Sequence, residues 1–131
     1  MFGVSSMTAP LKKVAVMKPG ASLINAGPVK WHYGPLFDPN KVAEVHSHFV
    51  EILKDSGAEV YWMAENGLEI ADSVFTYDAS LMTPKGAILM SPGKLLRKGE
   101  QNIHKSFYEN QNIPIIGKVD SDGRAEAGDT L

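Results

Sequence analysis

The stretch Val14-Ala-Val-Met-Lys-Pro19-Gly20 recurs later in the chain as Ala87-Ile-Leu-Met-Ser-Pro92-Gly93. Both copies are short apolar runs that close on Met-x-Pro-Gly, which predicts a buried strand followed by a turn. In each case a loop, a helix and a second short strand follow. The sequence therefore predicts an α/β fold in which a strand–loop–helix–strand unit occurs about twice, as in a repeat architecture. The alternative is that strand–turn segments look alike without being repeats.

The first copy leads into a long polar segment and then into a helix. Residues 20–38 are rich in Gly, Pro and Asn and predict a loop, of the kind that is often a functional lid. Asp38-Pro39 provides an N-cap with proline at the first helical position, and Gly57 is a typical helix end. A strand over 58–63 comes next. Apolar residues at helical spacing predict the core-facing side of the helix: Val42, Val45, Phe49, Ile52 and Leu53.

The second copy lies beside a predicted hairpin. Its turn is Thr83-Pro84-Lys85-Gly86, because proline at the second position and glycine at the fourth suit a type I turn. In the helix that follows, Ile103 and Phe107 are expected to face inward. The elements predicted for this half are strands over 73–82 and 87–90, a helix over 98–110 and a strand over 113–116.

Length and composition are those of one ordinary globular domain: 131 residues, 44% apolar and 21% charged. The net charge is −2 and no basic tract occurs, so no nucleic-acid partner is predicted. No apolar run is long enough to span a membrane and the N-terminus has no signal-peptide pattern, which predicts a cytoplasmic protein with no membrane contact. We expect residues 1–10 to be a flexible N-terminus and 11–131 to belong to one domain.

Carboxylates near an aromatic ring and an arginine form the candidate site. Such groups can hold a small cation that also carries a carboxylate. In an extended segment Asp72 and Asp78 would point to the same face, and Phe75 to the opposite one. The alternative makes Asp72 a turn cap and Asp78 a solvated edge charge, and spacing alone favours it. The charged residues of the candidate site are Asp72, Asp78, Arg97, Glu126 and Asp129.

The histidines are predicted to be surface or packing residues. His46 and His48 lie two positions apart, so on a helix they point in different directions and cannot share one metal ion. His32 is interpreted as loop packing, and His104 as an exposed residue of the second helix. No metal site is predicted.

In combination, the motifs resemble those of the guanidino-group-modifying superfamily, which includes dimethylarginine dimethylaminohydrolases, arginine deiminases and amidinotransferases. The likeness runs from Leu11 onward and covers about the N-terminal two-fifths to one-half of a full-length member. It implies a pentein-type fold, which is an α/β propeller of strand-strand-helix-strand modules, and this chain would contain about two of them. The segments that carry the likeness are Asp72-Ser-Val-Phe75-Thr-Tyr-Asp78, Gly93-Lys-Leu-Leu-Arg97, Glu126-Ala-Gly-Asp129 and Trp31-His-Tyr-Gly34.

The resemblance also implies roles for the matching positions. Asp72 and Asp78 would accept hydrogen bonds from a substrate guanidinium, and Phe75 would stack on its plane. Arg97 would bind the α-carboxylate of an arginine-like substrate. Glu126 would be the catalytic carboxylate that pairs with a histidine and holds it in the useful protonation state.

The sequence departs from the family pattern at the catalytic centre. The family nucleophile is a cysteine that attacks the guanidinium carbon with the help of a histidine, and neither position exists in these 131 residues. Ala127 stands where glycine is usual, which raises the question whether this position needs a positive φ. Asp129 is expected to stabilise its turn. The chain alone is therefore predicted to hold substrate without turning it over.

The sequence thus predicts the N-terminal fragment of a hydrolase that converts arginine or methylarginine to citrulline, with no cofactor and no metal. An amidinotransferase, in which an acceptor amine replaces water, is the nearest variant. The alternative of a different class is a non-catalytic binding or interaction module, a half-propeller that acts with a second chain. Two copies of an open half could also pair as a homodimer and cover their unpaired sheet edges.

Overall fold

A computed structural model describes residues 3, 6, 8–64, 69–120 and 122–130. The chain divides into two compact units, Pro10–Val74 and Phe75–Leu131, the second of which also includes Met1–Ala9. Half of the predicted flexible N-terminus, residues 1, 2, 4, 5 and 7, lies outside the described residues. The single domain over 11–131 stays a prediction. No helix in the described part of the chain is long and apolar enough to cross a membrane.

The Pro10–Val74 unit is built on two parallel strands, as the apolar runs predict. Strand β1 is Lys13–Met17 and strand β2 is Glu59–Met63, and they pair from Lys13 with Glu59 to Met17 with Met63. Val16, Met17 and Met63 are buried. The helices of this unit are α1 (Ala21–Ile24), α2 (Pro28–Trp31) and α3 (Val42–Asp55), and a 3-10 helix spans Ala71–Val74.

The predicted loop over 20–38 is only partly a loop, because α1 and α2 lie within it. Leu23 of α1 and Trp31 of α2 are buried, so each short helix is fixed by one large apolar side chain. Pro28 begins α2, where its fixed φ suits the first helical position. The loop prediction was wrong only for the residues of α1 and α2, because one-turn helices leave almost no periodic signal.

Helix α3 begins later than predicted and ends where predicted. Asp38 Oδ1 accepts a hydrogen bond from Asn40 N at 3.0 Å, which makes a local turn rather than a helix N-cap. At the other end, Gly57 has φ +90 and its N–H donates to Lys54 O. Glycine adopts this conformation without a Cβ penalty, so the predicted C-terminus is confirmed.

The predicted inward face of α3 is largely exposed. Val45, Phe49 and Ile52 are 65%, 49% and 55% exposed, whereas Val50 is buried. Within the described part of the chain, the sheet beneath α3 has two strands. Strands lie about 4.8 Å apart and a helix with its side chains is about 10 Å wide, so such a sheet covers only a strip of the helix surface.

The Phe75–Leu131 unit contains a mixed sheet in the order β3-β4-β5. Its antiparallel pair of strands confirms the predicted hairpin, although β3 begins at residue 80 rather than 73. Gly86 is required beside β5, because an added Cβ would overlap Pro114 O. The elements of this unit are β3 (Ser80–Thr83), β4 (Gly86–Leu89), α4 (Glu100–Asn110) and β5 (Ile115–Lys118), with 3-10 helices at Leu95–Arg97 and Ala127–Asp129.

Helix α4 is firmly packed. Ile103 and Phe107 are buried, as predicted, and Tyr108 is buried with them. Burying one such side chain contributes about 2 kcal/mol. Strand β5 runs parallel to β4, so the order strand–helix–strand occurs in this unit as it does in the other. The arrangement of such modules as a propeller stays a prediction.

His104 is buried, so its predicted exposure was wrong. Its Nδ1 lies 2.7 Å from Ser80 Oγ, which in turn lies 2.6 Å from Tyr108 OH. Burial, and to a lesser degree the charge of Arg97, lowers the pKa of His104 to about 4. His46 on α3 is half-buried beside the Trp62 ring, and burial lowers its pKa as well.

Candidate functional site

Asp78 joins three segments of the Phe75–Leu131 unit. Its Oδ2 accepts a hydrogen bond from Arg97 Nη1 at 2.8 Å, and its Oδ1 accepts one from Gly128 N at 3.2 Å. Its backbone carbonyl accepts from Ala127 N at 3.0 Å. The turn before β3 is thereby connected both to the 3-10 helix that carries Arg97 and to the segment that follows Glu126.

Arg97 is buried and held from two sides. Glu100 Oε2 and Oε1 accept from Arg97 Nε at 2.6 Å and Nη2 at 2.8 Å, a bidentate pair. Phe75 O accepts from Nη2 at 3.2 Å. Burial alone would lower the pKa of Arg97, but the hydrogen bonds and charges of Glu100, and then of Asp78, outweigh burial and raise it. Arg97 is therefore a fixed cation.

Glu100 is the buried charge that sequence reasoning missed. It is the first residue of α4 and is 0% exposed. Arg97 ends a 3-10 helix and Glu100 begins α4, with Gly99 between them at φ +98, so no helical spacing predicts their contact. A carboxylate in the first turn of a helix is also favoured by the helix dipole.

Phe75 is 55% exposed, and its backbone carbonyl accepts a hydrogen bond from Arg97. A half-exposed aromatic face next to an ion pair can receive a flat cation by stacking. Tyr77, two residues on, is also exposed. The turn thus offers aromatic surface on either side of Thr76.

Glu126 is positioned by backbone pairing. Ser91 and Ala125 exchange two hydrogen bonds of 3.0 Å in an isolated antiparallel bridge. Glu126 Oε1 then accepts from Gly93 N at 3.0 Å. The side chain lies at an open pocket of about 330 Å³, and the pocket is lined by Gly93, Lys94, Arg124, Ala125, Glu126 and Asp129.

The backbone of the Glu126-Ala-Gly-Asp129 segment shows whether position 127, where the family usually has glycine, needs a positive φ. Among the described residues, positive φ at a non-glycine occurs at His32 and Asn112, so Ala127 does not need it. Gly128 is the constrained position, because an added Cβ would lie 2.5 Å from Asp78 Oδ1. Asp129 N donates to Glu126 O at 3.1 Å, within the short 3-10 helix.

Asp72 belongs to the Pro10–Val74 unit. It is buried in the 3-10 helix Ala71–Val74, and its Oδ1 accepts from Tyr33 OH at 2.7 Å. The extended segment predicted from 73 onward is wrong here, so the argument that Asp72 and Asp78 share a strand face does not hold. Tyr33 was not predicted as its partner, although it stands in the Trp31-His-Tyr-Gly34 motif.

The structure thus brings Asp78, Arg97 and the Phe75 carbonyl into direct contact. Ala127, the neighbour of Glu126, joins them through its hydrogen bond to the Asp78 carbonyl. These residues share one unit, and Asp72 lies in the other. The ligand roles predicted for Asp72, Phe75, Asp78 and Arg97, and the catalytic role predicted for Glu126, stay predictions.

The chain is similar to known proteins in sequence and in fold. No family model matches the chain. It is 27% identical over 120 residues to N(G),N(G)-dimethylarginine dimethylaminohydrolase of Pseudomonas aeruginosa, across 92% of this chain and 46% of that enzyme. A solved adduct of dimethylarginine dimethylaminohydrolase with S-methyl-L-thiocitrulline matches with a TM-score of 0.73 at 25% identity, over 91% of this chain and 46% of the other. An AgrE mutant bound to L-arginine matches with a TM-score of 0.75 at 20% identity, over 92% and 18%.

The chain therefore has a mixed α/β fold similar to the matched parts of these solved structures. The chain is homologous to dimethylarginine dimethylaminohydrolase, which confirms the resemblance seen in the motifs. It spans about half the length of the curated relative it matches.

Proposed function

We propose that this chain supplies the substrate-binding part of a hydrolase that acts on the guanidino group of arginine or methylarginine to give citrulline. The observation that carries the proposal is the contact between Asp78 and Arg97 beside the exposed Phe75 ring, in a homologue of dimethylarginine dimethylaminohydrolase. The 25%-identical relative that holds S-methyl-L-thiocitrulline supports a ligand of this class.

Asp78 is suited to bind a guanidinium group. Arg97 Nη1 lies 2.8 Å from its Oδ2, and this contact supports Asp78 as an acceptor for a guanidinium nitrogen. The Asp78 side chain is 24% exposed, so a ligand can reach it. An ionised carboxylate offers about four acceptor positions, more than these contacts use. The Phe75 ring would stack on the flat cation.

Arg97 would bind the α-carboxylate of the same substrate. Glu100 and the Phe75 carbonyl accept from its Nε and Nη2, and Asp78 accepts from one N–H of Nη1. Among these contacts the second Nη1 N–H is the donor that a substrate carboxylate would meet. Glu126 borders the open pocket and would pair with a histidine supplied from outside these 131 residues. Asp72 lies in the other unit, and its role as a second guanidinium acceptor stays a prediction.

The reaction would use a cysteine from outside this sequence, which contains none. Its thiolate would attack the guanidino carbon, and an amine or ammonia would leave as the C–N bond breaks. Water would then release citrulline and regenerate the thiolate. With an acceptor amine in place of water the same steps give amidinotransfer. This chain alone would bind substrate and leave it unchanged.

A second candidate function is that of an interaction module that acts with another polypeptide. It is favoured by the exposed apolar side chains of α3, namely Val45, Phe49 and Ile52. Apolar surface of this kind often marks a protein–protein contact. Self-association in sedimentation velocity, without any binding of arginine, would favour this candidate over the first.

Calorimetric titration of L-arginine tests the first candidate. The variants are Asp78→Asn, which removes the acceptor charge, and Phe75→Ala, which removes the exposed ring. We expect each to lower the affinity at least about tenfold, the effect of losing about 1.4 kcal/mol. Phe49→Ala, an equally exposed phenylalanine on α3, is the control and should bind as the wild type does. Equal affinity in all four proteins would contradict the assignment.

A further inference from the structure

Glu100 is buried in the Phe75–Leu131 unit and has no role in the predicted site. Both of its carboxylate oxygens bind Arg97, at 2.6 Å and 2.8 Å. A bidentate pair of this kind combines two charge-assisted hydrogen bonds in one plane and fixes both partners. Glu100 therefore neutralises Arg97 through a contact that does not involve Asp78.

Asp78 shares the same arginine. Its Oδ2 lies 2.8 Å from Arg97 Nη1, while its Oδ1 faces the Gly128 N–H. Two carboxylates against one guanidinium leave one negative charge in excess within this cluster. If Glu100 were uncharged, Arg97 would neutralise Asp78 completely. The charge of Glu100 thus decides whether Asp78 can still attract a second cation.

We propose that Glu100 is a positioning residue that makes the site prefer a cationic guanidinium group over a neutral ureido group. The inference rests on the proposed function, since it assigns Glu100 to the same site. Arginine and citrulline share the α-carboxylate and the aliphatic chain, and they differ in the charge of the terminal group. A net negative cluster therefore binds the substrate more tightly than the neutral product and favours product release.

Isothermal titration with L-arginine and with L-citrulline tests this preference in the wild type and in Glu100→Gln. The variant keeps the side-chain size and removes the charge. Glu109→Gln is the matched control, because it lies on the same helix and changes the net charge equally. The Glu109 side chain is 59% exposed, and its Oε1 lies 3.8 Å from Lys105 Nζ. We expect Glu100→Gln to weaken arginine about tenfold and citrulline less than about twofold. Glu109→Gln should change neither affinity.

Failure of this inference can be told apart from failure of the proposed function. If the wild type binds neither ligand, the proposed function is wrong and this inference falls with it. If the wild type binds arginine and Glu100→Gln lowers both affinities equally, or neither, only the inference is overturned.

A second variant keeps the test valid if Glu100→Gln does not fold. Arg97→Met/Glu100→Met replaces the buried pair as a unit, an exchange that buried ion pairs often tolerate, and leaves Asp78 with the same single excess charge. Both affinities should fall, because Arg97 is lost, while their ratio stays within about twofold of the wild-type ratio. A ratio that falls about tenfold in this folded variant would overturn the inference.

Discussion

Helices α3 and α4 occupy the same place in their strand–helix–strand units, yet they pack very differently. In α4 the buried residues are Glu100, Ile103, His104, Phe107 and Tyr108, and in α3 the buried residue is Val50. Among the residues that the structure describes, the sheet under α4 has three strands and the sheet under α3 has two. A repeated sequence pattern therefore gives a well-packed core in one unit and an exposed apolar helix face in the other. Asp78, Arg97 and Glu100 belong to the well-packed unit.

Substitutions of charged residues are expected to show the largest difference in stability between the two units. Arg97→Met should lower the free energy of unfolding by about 4 kcal/mol, because it leaves Glu100 buried without its guanidinium. Lys54→Met, at the exposed end of α3, should change the free energy by less than about 0.5 kcal/mol. Urea unfolding monitored by circular dichroism measures both. Equal effects would show that the Arg97–Glu100 pair is not buried in solution.

A matched pair of isoleucines gives the next largest difference. Ile103→Ala on α4 should destabilise by about 3.5 kcal/mol, since it empties a packed position. Ile52→Ala on α3 should cost less than about 0.5 kcal/mol, because Ile52 is 55% exposed. Urea unfolding monitored by circular dichroism measures both losses of stability. If Ile52→Ala costs as much as Ile103→Ala, α3 is covered in solution and the contrast between the helices is wrong.

Lowering the pH is expected to reduce stability somewhat less than the Ile103→Ala substitution does. Burial, with the charge of Arg97, holds the pKa of His104 near 4, below its ordinary value of 6.5, so the unfolded chain binds the proton more readily. Stability is then fully present above pH 6.5 and declines as pH falls toward 4, by about 3 kcal/mol in total. Denaturant unfolding at a series of pH values measures this slope.

Two glutamine variants isolate the histidine that is responsible. His104→Gln should flatten the slope between pH 6.5 and 4, whereas His48→Gln on the exposed side of α3 should leave it as in the wild type. A wild-type slope that survives His104→Gln would mean that other groups cause the pH dependence.

Local patterns in the sequence were sufficient for the elements that depend on near neighbours. Apolar runs predicted β1 and β2, the turn residues at 83–86 predicted the β3–β4 hairpin, and Gly57 predicted the end of α3. The 3-10 helix at Ala71–Val74 was missed because four residues carry no usable period. The burial of His104 was missed because one of its polar partners, Ser80, comes from β3, far away in sequence.

The candidate site was predictable by resemblance more than by geometry. Asp78 and Arg97 are 19 positions apart, and nothing in their spacing predicts the 2.8 Å contact between them. Glu100 has no place in the motifs, and its contact with Arg97 depends on the turn at Gly99 between the two helices. The exposure of α3 depends on the width of the sheet beneath it, which a sequence period cannot report.

The most direct test of the central claim is to follow backbone amides by NMR while L-arginine is added to the ¹⁵N-labelled chain. Gly128 N–H donates to Asp78 and Gly93 N–H donates to Glu126, so both amides report on the proposed site. If arginine binds at Asp78, the amides of Gly128 and Gly93 should shift saturably, and none along α3 should shift. Shifts confined to α3, or no shift at Gly128 when arginine is in large excess, would contradict it.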